Sequence, residues 1–157
     1  MVRLWLICAA FALAACAPSA RAEPFEQLRA AYAARDARAA ALAYAPDAEI
    51  VYRYAGVPEE RHVGRIAIEA SFAAFFAQLD PSVPPDLRFR ITHLDGSRRT
   101  GFYRLGLGVG TTVYGAFDVE LSADGLFVRD VSTDAAMADF EPATEMERPG
   151  AAAAGGD

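Results

Sequence analysis

The stretch AAYAARDARAAALAYAPDAEIVY, residues 30–52, indicates helical structure followed directly by a strand. Residues 23–44 are predicted to be helical, with apolar side chains recurring at helical spacing. Asp36 is the predicted N-cap of a second short helix through Leu42, because its carboxylate can accept a free backbone N–H. Pro46-Asp47 is expected to end that helix. Alternating polarity over 49–54 then predicts a strand.

The segment HVGRIAIEASFAAFF, residues 62–76, continues the pattern with a short extended piece and a further helix. An apolar stripe marks this helix, formed by Ile68, Phe72, Phe75 and Leu79. Prolines at 81, 84 and 85 are expected to stop it.

The remaining sequence predicts four strands joined by short turns. The first covers residues 87–93, the second ends at about Val109, and the last two cover 113–121 and 126–133. Hairpin signals lie at Asp95-Gly96 and Asp124-Gly125. Helices segregated from a strand meander are typical of an α+β fold, with about three helices packed on one face of an antiparallel sheet.

Residues 35–48 and 64–76 resemble sequence phrases of the NTF2-like (SnoaL-like) superfamily, and the resemblance extends over residues 24–133. It implies a cone, in which a curved sheet wraps around a helix and encloses an apolar cavity. The superfamily includes ketosteroid isomerases, scytalone dehydratase, polyketide cyclases, epoxide hydrolases and non-catalytic binding or assembly modules. A shared fold therefore leaves the function open.

Three residues are the candidates for catalysis. The resemblance implies a carboxylate base at the end of the first strand, but Tyr52 occupies that position, and a phenol titrates near ~10. Asp118 could supply an acid, although placing Phe117, Val119 and Leu121 on the inward face turns Asp118 outward. His93 ends an apolar strand face and is predicted near the cavity mouth, whereas His62 is expected in solvent.

Aromatic residues on the predicted inward faces are the candidates for ligand binding. They are Tyr32, Tyr52, Tyr54, Phe76, Phe89 and Phe117. The leading hypothesis is a non-catalytic domain that binds a small apolar or amphipathic molecule in its cone. One alternative is a SnoaL-type lyase or isomerase with His93 and tyrosines as proton handlers. A second is a dimeric assembly module.

Residues 1–22 have the layout of a bacterial signal peptide, with Arg3 before an apolar run too short to span a bilayer. Two cleavage signals remain open: a lipobox ending at Cys16, which we favour, and an A-x-A site ending at Ala22. Cleavage at the lipobox would leave an acylated Cys16 and a periplasmic protein tethered to the membrane. Residues 23–134 form the predicted domain, and 135–157 a flexible tail.

Charge and cysteine content narrow the possible partners. All 21 acidic residues follow residue 22, and cleavage before Cys16 leaves 14 arginines and a net charge of −7. This balance argues against nucleic-acid binding, which needs a basic surface. Cys8 and Cys16 both lie in the leader, so the domain is predicted to have no disulfide and no Cys-ligated metal. We also expect no cofactor.

Overall fold

A computed structural model describes residues 23–108 and 110–141. Its helices are α1 (Pro24–Ala34), α2 (Ala37–Ala41), α3 (Arg65–Ala77) and α4 (Met137–Phe140). Its strands are β1 (Tyr44–Arg53), β2 (Glu60–Val63), β3 (Asp86–Asp95), β4 (Arg98–Gly106), β5 (Thr112–Leu121) and β6 (Phe127–Asp134). The predicted α+β class is confirmed. The predictions for the leader, Cys16 and most of the tail lie outside the described residues.

The strands form one sheet in the order β2-β1-β6-β5-β4-β3. The pairs follow the expected antiparallel arrangement except for β1 and β6, which run parallel. The prediction of an entirely antiparallel sheet is therefore wrong at this one pair. Strand β6 lies between β1 and β5. It runs antiparallel to β5, to which a short turn connects it, and this direction makes it parallel to β1.

The helix ends follow from local chemistry. Asp36 caps α2 as predicted, since its Oδ1 accepts a hydrogen bond of 2.9 Å from the Ala39 amide. Arg35 ends α1 in the left-handed region with a φ of 54°, and its guanidinium donates to the carbonyls of Asp80 and Val83. This contact ties the α1–α2 corner to the loop that precedes β3.

Strand β1 begins earlier than the sequence predicts. It starts at Tyr44 and contains Pro46-Asp47, which we expected to separate helix from strand. The pairing with β6 is irregular between Tyr44 and Glu49, and a proline is tolerated at such a break in the ladder. The earlier start is important because it places Tyr44 on the sheet, where its buried side chain faces the core.

An aromatic cluster joins α1 to the sheet. The ring centroid of Phe25 lies 5.0 Å from those of Phe89 and Phe127, and 5.4 Å from that of Phe117. Phe117 and Val119 are buried, as the alternation of β5 predicts. Burial of each such phenylalanine stabilises the fold by about 1.5–3 kcal/mol. None of the described helices has the length and apolar character needed to cross a membrane.

Candidate functional site

A cavity of about 710 Å³ lies between the sheet and helices α1 and α3. Its inner wall is formed by buried side chains, among them Phe25, Leu28, Phe72, Phe117 and Phe127. Exposed residues that also line it, such as Glu60, Ala74 and Gln78, mark where it meets solvent. The volume falls within the range typical of small-molecule sites, about 300–1,000 Å³.

A buried carboxyl group, that of Asp130 on β6, faces this cavity. The Tyr44 hydroxyl donates a hydrogen bond of 2.8 Å to Asp130 Oδ2, whereas Ser132 Oγ lies 3.5 Å from Oδ1. Burial raises the pKa of Asp130 from 3.8 to about 6, and the two hydroxyl contacts oppose that rise. Asp130 can therefore exchange a proton near neutral pH.

A β-bulge explains why Asp130 points inward. Leu121 and Glu120 of β5 pair with Phe127 and Arg129, so Val128 is the extra residue in β6. Phe127 lines the cavity before the bulge, and Asp130 and Ser132 line it afterwards. Strict alternation from Phe127 would have turned Asp130 to the outer face, which is how a bulge re-aims a side chain.

Five tyrosines surround the carboxyl group. Besides Tyr44, they are Tyr32 from α1, Tyr52 from β1, Tyr54 directly after β1, and Tyr103 from β4. The hydroxyl oxygens of Tyr54 and Tyr103 lie 3.0 Å apart and share a hydrogen bond. The Tyr103 ring fits over Gly115 of β5 because glycine has no side chain. A Cβ atom at residue 115 would lie 2.2 Å from the Tyr103 ring.

These phenols are neutral hydrogen-bond donors at physiological pH. Burial is the largest cause of the raised pKa of each one, and the Asp130 charge adds to it. Tyr52 is therefore even less suited to be a base than its residue type implies. Within the described part of the chain, the hydroxyls of Tyr32 and Tyr52 have no hydrogen-bond partner, so both are free to donate to a ligand.

His62 and Glu60 lie together at the cavity mouth on β2. His62 Nε2 is 2.8 Å from Glu60 Oε1, although the two groups are not aligned as a hydrogen bond. The His62 side chain is 18% exposed, and its ring centroid lies 6.0 Å from that of Tyr52. The expectation that His62 is a plain solvent-exposed residue is therefore wrong.

Three of the predicted site residues lie elsewhere. His93 is exposed on β3 and does not line the cavity, because it lies at the end of the β3–β4 hairpin, where residues 91–98 are all exposed. Asp118 faces away from the cavity and pairs with Arg98, whose Nε lies 2.7 Å from Asp118 Oδ1. Phe76 is buried behind the cavity wall, with its ring centroid 5.1 Å from that of Tyr32.

The other predicted ligand-binding residues line the cavity together: Tyr32, Tyr52, Tyr54, Phe89 and Phe117. Their contact with a ligand stays a prediction. Sequence reasoning missed Asp130, Tyr44, Tyr103 and Ser132. An acidic residue within an otherwise strand-like segment was the available signal for Asp130, but its inward direction depends on the bulge. Among the described residues, no three His, Cys, Asp or Glu side chains cluster as metal ligands.

Comparison with known proteins identifies the fold. No family model matches the chain, and no curated protein matches it in sequence. Among solved structures, a protein from Catenulispora acidiphila with a ketosteroid isomerase-like fold, in complex with trimethylamine, is 14% identical with a TM-score of 0.58. The match covers 76% of this chain and 89% of that chain.

Two further structures are similar. An NTF2-like protein of unknown function from Mesorhizobium loti is 21% identical with a TM-score of 0.53, covering 76% of this chain and 98% of the other. A cystatin-fold protein from Novosphingobium aromaticivorans is 17% identical with a TM-score of 0.55, and the match covers 70% of this chain and 94% of the other. The chain thus has the NTF2-like cone fold that its sequence resembles. Likeness at this level of identity establishes the fold alone.

Proposed function

We propose that this protein binds a small, largely apolar molecule in its cavity, with one polar group of that molecule against Asp130. The observation that carries the proposal is a buried carboxyl group in a cavity wall formed mostly by aromatic and aliphatic side chains. Apolar contact provides the binding free energy in such sites, and a few convergent polar groups fix the orientation. Free hydroxyls on Tyr32 and Tyr52 would orient the ligand further.

The cavity can be tested with a neutral apolar dye, N-phenyl-1-naphthylamine, whose fluorescence increases in apolar surroundings. Two positions on α3 give a matched pair, since Ser71 lines the cavity and Ala73 is exposed outside it. Ser71→Phe should fill the cavity and lower dye affinity about tenfold or more, whereas Ala73→Phe should bind like the unmodified protein. Equal dye binding by the two folded variants would contradict the proposal.

A second candidate function is proton transfer, as in an isomerase or lyase, and the raised pKa of Asp130 favours it. Asp130 would accept a proton from a carbon next to a carbonyl group. A neutral tyrosine hydroxyl would donate a hydrogen bond to the developing oxyanion. In this role Asp130 replaces the Tyr52 and His93 of the sequence-based hypothesis.

Deuterium exchange tests proton transfer directly. The enzyme should accelerate exchange at the α-carbon of 2-tetralone in D₂O, observed by NMR. Asp130→Asn should abolish the acceleration, and Asp95→Asn, at an exposed turn, should retain it. If Asp130→Asn exchanged as fast as the unmodified protein, Asp130 would not be the base.

We also propose that the protein is exported and held at a bacterial membrane through acylated Cys16. The proposal is supported by the n-region, apolar run and lipobox within residues 1–22. Cys16→Ser should release the protein from the membrane fraction into the periplasmic extract. Unchanged fractionation would refute the lipid anchor without affecting the proposed cavity.

A further inference from the structure

We infer that the polar group of the ligand is cationic, a protonated amine or a quaternary ammonium, and that it lies against Asp130 among the tyrosine rings. This inference rests on the proposed function, because it names the class of molecule that the same cavity takes. Three features carry it: the charges of the lining, the missing partner of Asp130 and the chemistry of the tyrosines.

The charge balance of the lining is negative. Among the described residues, its carboxyl groups are Asp130 on the wall and Glu60 at the mouth, and His62 is its one basic side chain. No arginine of the described residues lines the cavity. An anionic ligand, such as a carboxylate or a phosphate, would meet like charge without a counter-ion, whereas a cation would be attracted.

Asp130 lacks a cationic partner within the described part of the chain. Its one short contact is with the neutral Tyr44 hydroxyl, and the contact with Ser132 is at the limit of a hydrogen bond. Removing a carboxylate from water is costly unless an opposite charge compensates for it. A bound ammonium would supply that charge, and no residue of the described chain does so.

The tyrosines suit a cation equally well. The rings of Tyr52 on β1 and of Tyr54, directly after its end, are stacked, with centroids 5.9 Å apart and planes 18° apart. Tyr32 and Tyr103 line the cavity from other elements. Aromatic faces attract ammonium groups, and the attraction is stronger where water is excluded. Electron-rich phenols and one carboxylate therefore provide a complete environment for an alkylammonium group.

The charge of the ligand can be isolated with an isosteric pair. Phenyltrimethylammonium and tert-butylbenzene have the same shape and differ by a positively charged nitrogen in place of a carbon. At pH 7.5 the cation should bind about tenfold or more tightly than the hydrocarbon, measured by NMR titration of the whole protein. Stronger or equal binding of tert-butylbenzene would overturn the inference and leave cavity binding intact. Binding of neither probe would overturn both.

The pH dependence provides a readout that apolar contact alone would not produce. Because the quaternary ammonium cannot titrate, any change in its affinity belongs to the protein. Affinity should rise through the pH range around 6, as Asp130 ionises, and then level off. The affinity for tert-butylbenzene should not rise over the same range.

Other ionisable groups near Asp130 must be separated from it. They are Tyr32 of α1, Tyr44 and Tyr52 of β1, Tyr54 directly after β1, and Tyr103 of β4. Glu60 and His62 of β2 line the mouth of the same cavity, and Asp118 acts from the outer side of β5. The tyrosines stay neutral in this range. His62 is the imidazole at the cavity mouth, so the titration should be repeated with His62→Gln, in which this side chain makes no contribution.

Two substitutions complete the experiment. Asp130→Asn should weaken phenyltrimethylammonium binding about tenfold. Added to His62→Gln, it should also remove the rise in affinity with pH that the single His62→Gln variant retains. Asp95→Asn removes one carboxylate at the exposed β3–β4 turn and retains an Asn-Gly turn, so it should bind like the unmodified protein. Should Asp130→Asn retain the full affinity and pH dependence, the inference would be wrong. The isosteric pair tests the unmodified protein and does not depend on the folding of any variant.

Discussion

Tyr44→Phe should reduce stability more at pH 8 than at pH 5, because the hydroxyl that it removes donates to Asp130. The ionised carboxylate holds that hydrogen bond more strongly than the protonated acid does. Hydrogen bonds to charged groups contribute about 1.5–3 kcal/mol, and those between neutral groups about 0.5–1.5 kcal/mol. Above pH 7 the free energy of unfolding should therefore fall by about 2 kcal/mol.

The substitution should also shift the titration of Asp130 in a defined direction. Because a pKa unit corresponds to about 1.4 kcal/mol, loss of the donor should raise the pKa of Asp130 from about 6 by about one unit. In the unmodified protein the folded state binds this proton more tightly than the unfolded chain, whose carboxyl titrates near 3.8. The Asp130 contribution to stability is thus most favourable below pH 3.8, and it declines as the pH rises towards 6. The variant should extend that decline to higher pH.

Urea denaturation at pH 5 and pH 8, with the Asp130 carboxyl carbon followed by NMR, measures both effects. Tyr114→Phe is the matched control, because Tyr114 lies on β5 outside the cavity lining and packs against Phe140, 6.1 Å between centroids. It should change stability equally at the two pH values. An equal loss at both pH values for Tyr44→Phe, with an unchanged Asp130 titration, would refute the reasoning.

Three further perturbations have defined outcomes. Asp36→Ala removes the α2 cap and should lower the free energy of unfolding by about 1 kcal/mol in urea denaturation, and an unchanged value would contradict the capping role. Gly115→Ala places a Cβ against the Tyr103 ring, and should cost about 1–3 kcal/mol and weaken dye binding. Retained stability and dye affinity would show that Tyr103 moves freely. Asp118→Asn breaks an exposed ion pair with Arg98 and should leave the thermal midpoint and phenyltrimethylammonium affinity nearly unchanged, whereas a large loss of affinity would place Asp118 in the site.

Much of the architecture was predictable because it depends on local signals. The cap at Asp36, the apolar stripe of α3 and the turns at Asp95-Gly96 and Asp124-Gly125 are each encoded within a few residues. The exception was the start of β1, where Pro46 suggested an interruption. Pairing with β6 overrides that local preference and extends the strand back to Tyr44.

The candidate site was only partly predictable, because its side chains come from distant strands. The alternation of β5 correctly turned Phe117 inward and Asp118 outward. The predicted position of His93 was wrong, since the residue pattern does not show that the end of the β3–β4 hairpin, residues 91–98, is exposed outside the cavity. His62 was judged by its polar neighbours, although β2 places it at the cavity mouth.

The sequence by itself determined most of the elements, most of the inward aromatic residues and the α+β class, because residue periodicity and turn chemistry act over short range. Only the tertiary structure decided where the candidate carboxyl group, that of Asp130, lies. Parallel pairing of β1 with β6 sets Asp130 opposite Ile50 and Ser132 opposite Tyr52, and the bulge at Val128 turns Asp130 inward. Its raised pKa then follows from burial. Strand order, register and burial are properties of the assembled sheet, and a single strand does not encode them.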